Sequence, residues 1–215
     1  MFDQVFFGLM ALTSFVLACA LLWRYPQRRQ VHVVFWGIAA IVLFAAGLLL
    51  ALGGLAVLGQ PYVPVIAAII PAFFAVGVLL TTFKRKTYGT CFFAYAVLMI
   101  ALLSVSKALG ITATATPVLI AIHAPSGVII FILPLIAAFT KRTSMSGSLL
   151  GFGGLLIGIG GVALATLGTS APILPAAIVL EIIAPLLFSV SLLFTLGILS
   201  TPGWGFREAA LRVGL

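Results

Sequence analysis

Acidic residues are nearly missing from this chain. Only 3 of its 215 residues are Asp or Glu, and charged residues of every kind make up 7%. A water-soluble domain of this length shows far more polar surface, so that class is excluded. There are two histidines and two cysteines. Metal-dependent intramembrane hydrolysis needs clusters of His, Asp or Glu, and none is present, so no metal site is expected. No Asp falls inside an apolar segment, so a Ser-His-Asp set cannot be assembled and no catalytic residue is assigned. The last apolar segment has no lysine, which argues against a Schiff-base retinal protein. A bis-histidine haem needs two histidines within the membrane, and only His123 qualifies, although a His/Met haem stays open.

What the chain has in abundance is hydrocarbon: 64% of its residues are hydrophobic. Crossing the hydrocarbon core of a bilayer takes about 20 apolar residues. Seven segments meet that length, near 5–24, 32–58, 62–83, 88–109, 116–140, 147–168 and 173–200. The expected fold class is an all-α polytopic membrane protein, a seven-helix transmembrane bundle over 1–200. The tail, 201–215, is read as either a short interfacial amphipathic helix or a frayed end.

The eleven Lys and Arg residues cluster at alternate breaks. Arg24, Arg28 and Arg29 occupy the first break, Lys84, Arg85 and Lys86 the third, Lys141 and Arg142 the fifth, and Arg207 and Arg212 the tail. Only Lys107 lies on the other side. This positive-inside pattern predicts an outside N-terminus and a cytoplasmic C-terminus. The net charge of +8 is then directed at anionic headgroups of the lipid bilayer rather than at nucleic acid, since no basic stripe interleaved with aromatics appears. Trp23, Tyr25, Trp36, Tyr88 and Trp204 are expected at inner boundaries and Tyr62 at an outer one. Val16 to Ala20 loosely resembles a cleavage site, but the residues before it carry Asp3 and no Lys or Arg, so the first segment is expected to be a retained helix. Cys19 and Cys91 fall in apolar segments and read as inert small hydrophobes.

A weak internal repeat is present. Pro71 to Thr81 matches Pro185 to Thr195 in Pro, Phe, Val, Leu and Thr at identical offsets, and Leu55 to Gly59 parallels Leu164 to Gly168. These matches suggest a parallel 3+1+3 duplication with the fourth helix as an inverting linker. Seven helices in that plan resemble the small sugar transporters of the PQ-loop class in architecture alone. The Pro-Gln motif of that class lies within helices of each repeat, whereas Pro26-Gln27 is expected in the first inner loop, with no counterpart in helix 5.

Glu181 is the only acidic residue inside a span. An ionisable group there costs about 2.5–3.5 kcal/mol on insertion scales, so it is expected to face the interior. Its readings are a proton-coupling or ligand-binding carboxylate, or a structural hydrogen-bonding group between helices. With helix 5 starting near Thr116 and helix 7 near Ile173, His123 and Glu181 fall at one depth, roughly 10–12 Å below the outer boundary. They are expected to form one polar site. Pro125 and Pro185 follow them, and proline kinks free backbone carbonyls and often border cavities. Lys107 reads either as a cation drawing anions toward that site or as a side chain snorkelling to headgroups. Ser126 is a further ligand-side candidate, and with Gly127 it permits close helix approach. The run Gly151 to Gly161 reads as packing, with Gly154 and Gly158 in GxxxG spacing; no Lys-Ser/Thr follows it to make a phosphate loop.

Three functions fit. The first is a small secondary transporter or ligand-binding membrane protein with a polar site in the outer half. The second is a non-catalytic subunit packed against membrane partners or a second copy. The third is a haem- or quinone-binding subunit using His123. The sequence does not identify the cofactor or the ligand.

Overall fold

The computed structural model describes residues 2–83, 85–167 and 169–201, with nothing given for the side chains of Gln27, Arg28 and Thr112. Among these residues the chain is all-helical: α1 (Phe2–Arg28), α2 (Val31–Gly53), a 3-10 helix (Gly54–Gly59), α3 (Val63–Thr82), α4 (Thr87–Ala108), α5 (Thr112–Phe139), α6 (Gly147–Thr166) and α7 (Ala176–Ser200). Seven helices are long and apolar enough to cross a bilayer, consistent with an integral membrane protein. The expected amphipathic tail and its Trp204 lie outside the described residues.

Six helices form a closed ring. Packing runs α1 on α2, α2 on α3, α3 on α5, α5 on α6, α6 on α7, and α7 back on α1; α4 lies outside, against α3 and α5. The connections α1–α2, α3–α4 and α5–α6 carry most of the basic residues and mark the basic end. The other connections mark the far end. A core of Met10, Leu43, Phe74, Ile157, Ile183 and Phe194 fills the ring, and a smaller cluster around Ala96, Leu103 and Ile122 joins α4 to α3 and α5.

Local chemistry sets the boundaries. Pro26 lies inside α1, which runs on to Arg28, so Pro26-Gln27 belongs to a helix and not to the expected loop. The turn into α2 needs only Arg29 and Gln30. Arg29 takes a left-handed conformation (φ 48°), and its N–H bonds the Tyr25 carbonyl at 2.7 Å, an αL helix stop. Gly54 breaks the long second segment: its φ of 64° is one glycine adopts without a steric penalty, and the chain continues as the 3-10 helix.

The glycines of α6 are divided between its two neighbours. Gly151, Gly154, Gly158 and Gly161 recur at helical spacing on one face. A Cβ on them would strike Leu135 and Phe131, Ile130 and Phe131, Gly127, and His123 respectively, all in α5. Gly153 and Gly160 face Phe194 and Leu186 of α7. Lipid is as apolar as leucine, so helices in a membrane associate through close van der Waals packing, which these positions permit.

Three side chains depart from expectation. Trp36 is not a boundary anchor but fully buried: Gly77 leaves room for its indole, and Nε1 donates to the Phe74 carbonyl at 3.2 Å. A buried indole N–H needs such a partner. Cys19 and Cys91 are free thiols on the outward face of the bundle rather than in its core. Trp23, Tyr25, Tyr62 and Tyr88 are exposed.

Candidate functional site

The site is organised by α5, which carries Pro117, Pro125 and Pro134 within its length. Proline has no N–H, so Pro125 leaves the Ala121 carbonyl without its helical donor. Tyr95 of α4 fills that gap, its hydroxyl donating to the Ala121 oxygen at 2.6 Å. The outlying helix is thereby fastened to the stretch that presents His123.

His123 is only 4% exposed. Its Nδ1 lies 3.1 Å from the Leu119 carbonyl oxygen. A carbonyl only accepts, so in the neutral ring Nδ1–H donates and Nε2 is left as an acceptor. The imidazole lies over Gly161 of α6, where a Cβ would overlap it. His123 and Gly161 stand at the junction of two adjoining cavities. The inner chamber, about 90 Å³, is bounded by Met10, Leu43, Ile70, Ile157 and Ile183, with His123 the only titratable side chain among the described residues that line it. The vestibule, about 440 Å³, carries Lys107, Thr116 and His123 among apolar neighbours from α3, α5, α6 and the 3-10 helix. Ala67 borders both cavities, and Pro71 has no N–H to offer its carbonyl.

Of the four residues expected from sequence, the structure brings two together. Lys107 and His123 line the vestibule. Ser126 is fully buried, and its hydroxyl has no hydrogen-bond partner; it lines neither chamber. Glu181 is exposed on α7 and lines neither cavity, although its neighbours Leu180 and Ile183 do. The expected Glu181–His123 cluster does not form.

The side that Glu181 faces gives the reason: Leu180 and Ile183 line the cavities with His123, whereas Glu181 between them is exposed. α5 begins at Thr112 and α7 only at Ala176, after Pro175. His123 therefore lies about 16 Å along its helix and Glu181 about 8 Å along its own. The opening turns of α7 leave Ile178, Leu180 and Ile182 exposed as well. The carboxylate lies on the exposed side of these turns, while Val179 and Ile183 of the same turns are buried.

A second polar group was not anticipated from sequence. Thr13 and Ser14 of α1 meet Ser191 and Thr195 of α7, closing the ring. Thr13 Oγ1 hydrogen-bonds Ser191 Oγ, and Ser14 Oγ lies 3.0 Å from the same oxygen. Ser191 also donates to the Met10 carbonyl at 3.1 Å, and Thr195 bonds the Thr13 carbonyl at 3.1 Å. Ser191 and Thr195 at i and i+4 gave the one sequence signal, a polar pair on one face of an apolar helix. Nothing in the sequence showed that the first and last helices touch.

Among the described residues, no group of three or more His, Cys, Asp or Glu is placed to hold a metal ion. The arrangement is a helical bundle, consistent with an integral membrane protein, that holds a partly polar cavity. No family model matches the chain, and neither a curated protein nor a solved structure matches it.

Proposed function

We propose that this protein is a ligand-binding membrane protein, built as a small secondary transporter, whose site is the His123 cavity. The observation that carries the reading is the joining of Lys107 and His123 by one vestibule of about 440 Å³, within the size range of small-molecule sites. A few polar groups in an otherwise apolar cavity is the usual make-up of such a site. The ring supports the transport aspect. Exchanging α1–α3 for α5–α7 maps each helix interface onto another: α1 on α2 with α5 on α6, α2 on α3 with α6 on α7, and α3 on α5 with α7 on α1. Thr81 and Thr195 each hydrogen-bond the carbonyl four residues back, at 3.1 and 2.8 Å. The other matched pair differs, since Leu55 lies in the 3-10 helix and Leu164 within α6. The duplication and the orientation with the vestibule facing outward are parts of this proposal.

The test uses the two exposed thiols, Cys19 and Cys91, replaced by serine, and a single cysteine in place of Ala67. A small water-soluble methanethiosulfonate applied to protein in nanodiscs should modify that position. No modification would show a closed, dry interior and overturn the proposal.

A second reading, a subunit of a membrane complex, draws on the exposed carboxylate of Glu181, which a neighbouring polar group would satisfy. Gentle extraction from native membranes separates the two readings: a partner lost in Glu181→Leu favours the subunit.

A further inference from the structure

We infer that the His123 cavity takes an anionic single-chain amphiphile, its head held by Lys107 in the vestibule and the end of its tail in the inner chamber. This inference rests on the binding role proposed above and adds the class of ligand.

The polarity of the two chambers sets the orientation. Among the described residues Lys107 is the only cation in the vestibule lining, which holds no acidic side chain. Among the described residues Lys107 makes no ion pair with Asp3 or Glu181. An ammonium facing a cavity of low polarity without a counter-charge favours an anion and disfavours a cation. A carboxylate or phosphate head meets this requirement, and Thr116 of α5 lines the same vestibule.

The inner chamber sets the other end of the ligand. Its walls are Leu, Ile, Val, Met and Ala apart from His123 and two glycines. Polar matter there would lose hydration without compensation, whereas hydrocarbon gains burial. Its volume of about 90 Å³ is below the roughly 150 Å³ of an engineered cavity that binds benzene, so it admits the end of a thin chain and not a ring. His123 offers its Nε2 as an acceptor at the junction, which a ligand hydroxyl or a water can meet. A groove lined by Pro117 and Ile120 of α5 and by Thr169 and Ser170 shares Thr116 with the vestibule. An amphiphile lying in the bilayer interface can enter tail-first along it.

The experiment follows modification of the single cysteine at position 67 in nanodiscs while dodecanoate, dodecyl phosphate, dodecyltrimethylammonium or acetate is added. Dodecanoate or dodecyl phosphate should slow the reaction saturably by about ten-fold, equivalent to about 1.4 kcal/mol of occupancy. The better of the two identifies the head as carboxylate or phosphate. The cation should not protect, and acetate should not protect at the same concentration. In Lys107→Ala the thiol should stay reactive and the protection by anions should fall to that given by the cation. Equal protection by anion and cation, or protection that survives Lys107→Ala, overturns the inference. So does protection by acetate as strong as by dodecanoate, or none by either chain. A thiol that never reacts instead defeats the underlying binding role.

Discussion

The Tyr95 hydroxyl and the Ala121 carbonyl, 2.6 Å apart, join the one helix outside the ring to the helix that carries His123. The carbonyl is available because Pro125 has no N–H to give it. Tyr95→Phe should therefore lower stability by about 1 kcal/mol. In a Pro125→Ala background the alanine N–H supplies the missing bond, and Tyr95→Phe should cost much less. A double-mutant cycle by thermal unfolding in detergent measures the difference. Equal losses in both backgrounds would show that the hydroxyl does not act through this carbonyl.

The imidazole of His123 occupies the space where a Cβ at 161 would stand. Gly161→Ala should cost about 1–3 kcal/mol by overpacking. In His123→Ala the same substitution should be close to neutral, because the obstruction is gone. Gly127→Ala should not be rescued in this way, since its Cβ would meet the Gly158 backbone. Melting temperatures of the single and double variants decide the matter.

Ser191 bonds Thr13, Ser14 and the Met10 carbonyl at once. Hydrogen bonds between membrane helices average about 0.6 kcal/mol and reach about 1.7. Ser191→Ala should fall at or above the upper figure, because one substitution removes several contacts. Ser189→Ala should be milder, as that hydroxyl bonds only within α7, to the Pro185 carbonyl. Similar effects of the two changes on resistance to unfolding in SDS would mean that the hydroxyl group does not hold α1 to α7.

Glu181 is exposed, so Glu181→Gln should shift stability by no more than about 0.5 kcal/mol. A large loss in the isolated protein would require interior partners for this carboxylate and contradict its position on α7.

Orientation is tested by cysteines introduced at Arg85, Ser144 and Gln60. In intact cells the first two should be shielded from impermeant reagents, and the third should react. Labelling at the first two positions would reverse the topology that the charge pattern predicts.

The seven apolar segments were legible because crossing a bilayer is a requirement of length and hydropathy, and both are properties of a continuous stretch of chain. The packing role of Gly154 and Gly158 was legible for a related reason: small residues at helical spacing in an apolar span have few uses other than close approach. Exact helix starts were less legible. Helix 5 was expected to start near Thr116, yet α5 begins at Thr112 and carries Pro117 within its length. Glu181 was kept from His123 by the side of α7 it occupies, since its neighbours Leu180 and Ile183 line the cavities and it does not. Facing direction and contact between distant helices were decided only by the tertiary structure. Trp36 was drawn inward by Gly77 and the Phe74 carbonyl. Ser191 found Thr13 and Ser14 because α7 closes the ring on α1. Lys107 came to share a cavity with His123 because α4 lies against α3 and α5. Hydropathy reports how each segment partitions into a bilayer. It is nearly uniform around helices this apolar, so it says little about which side of one helix meets which side of another.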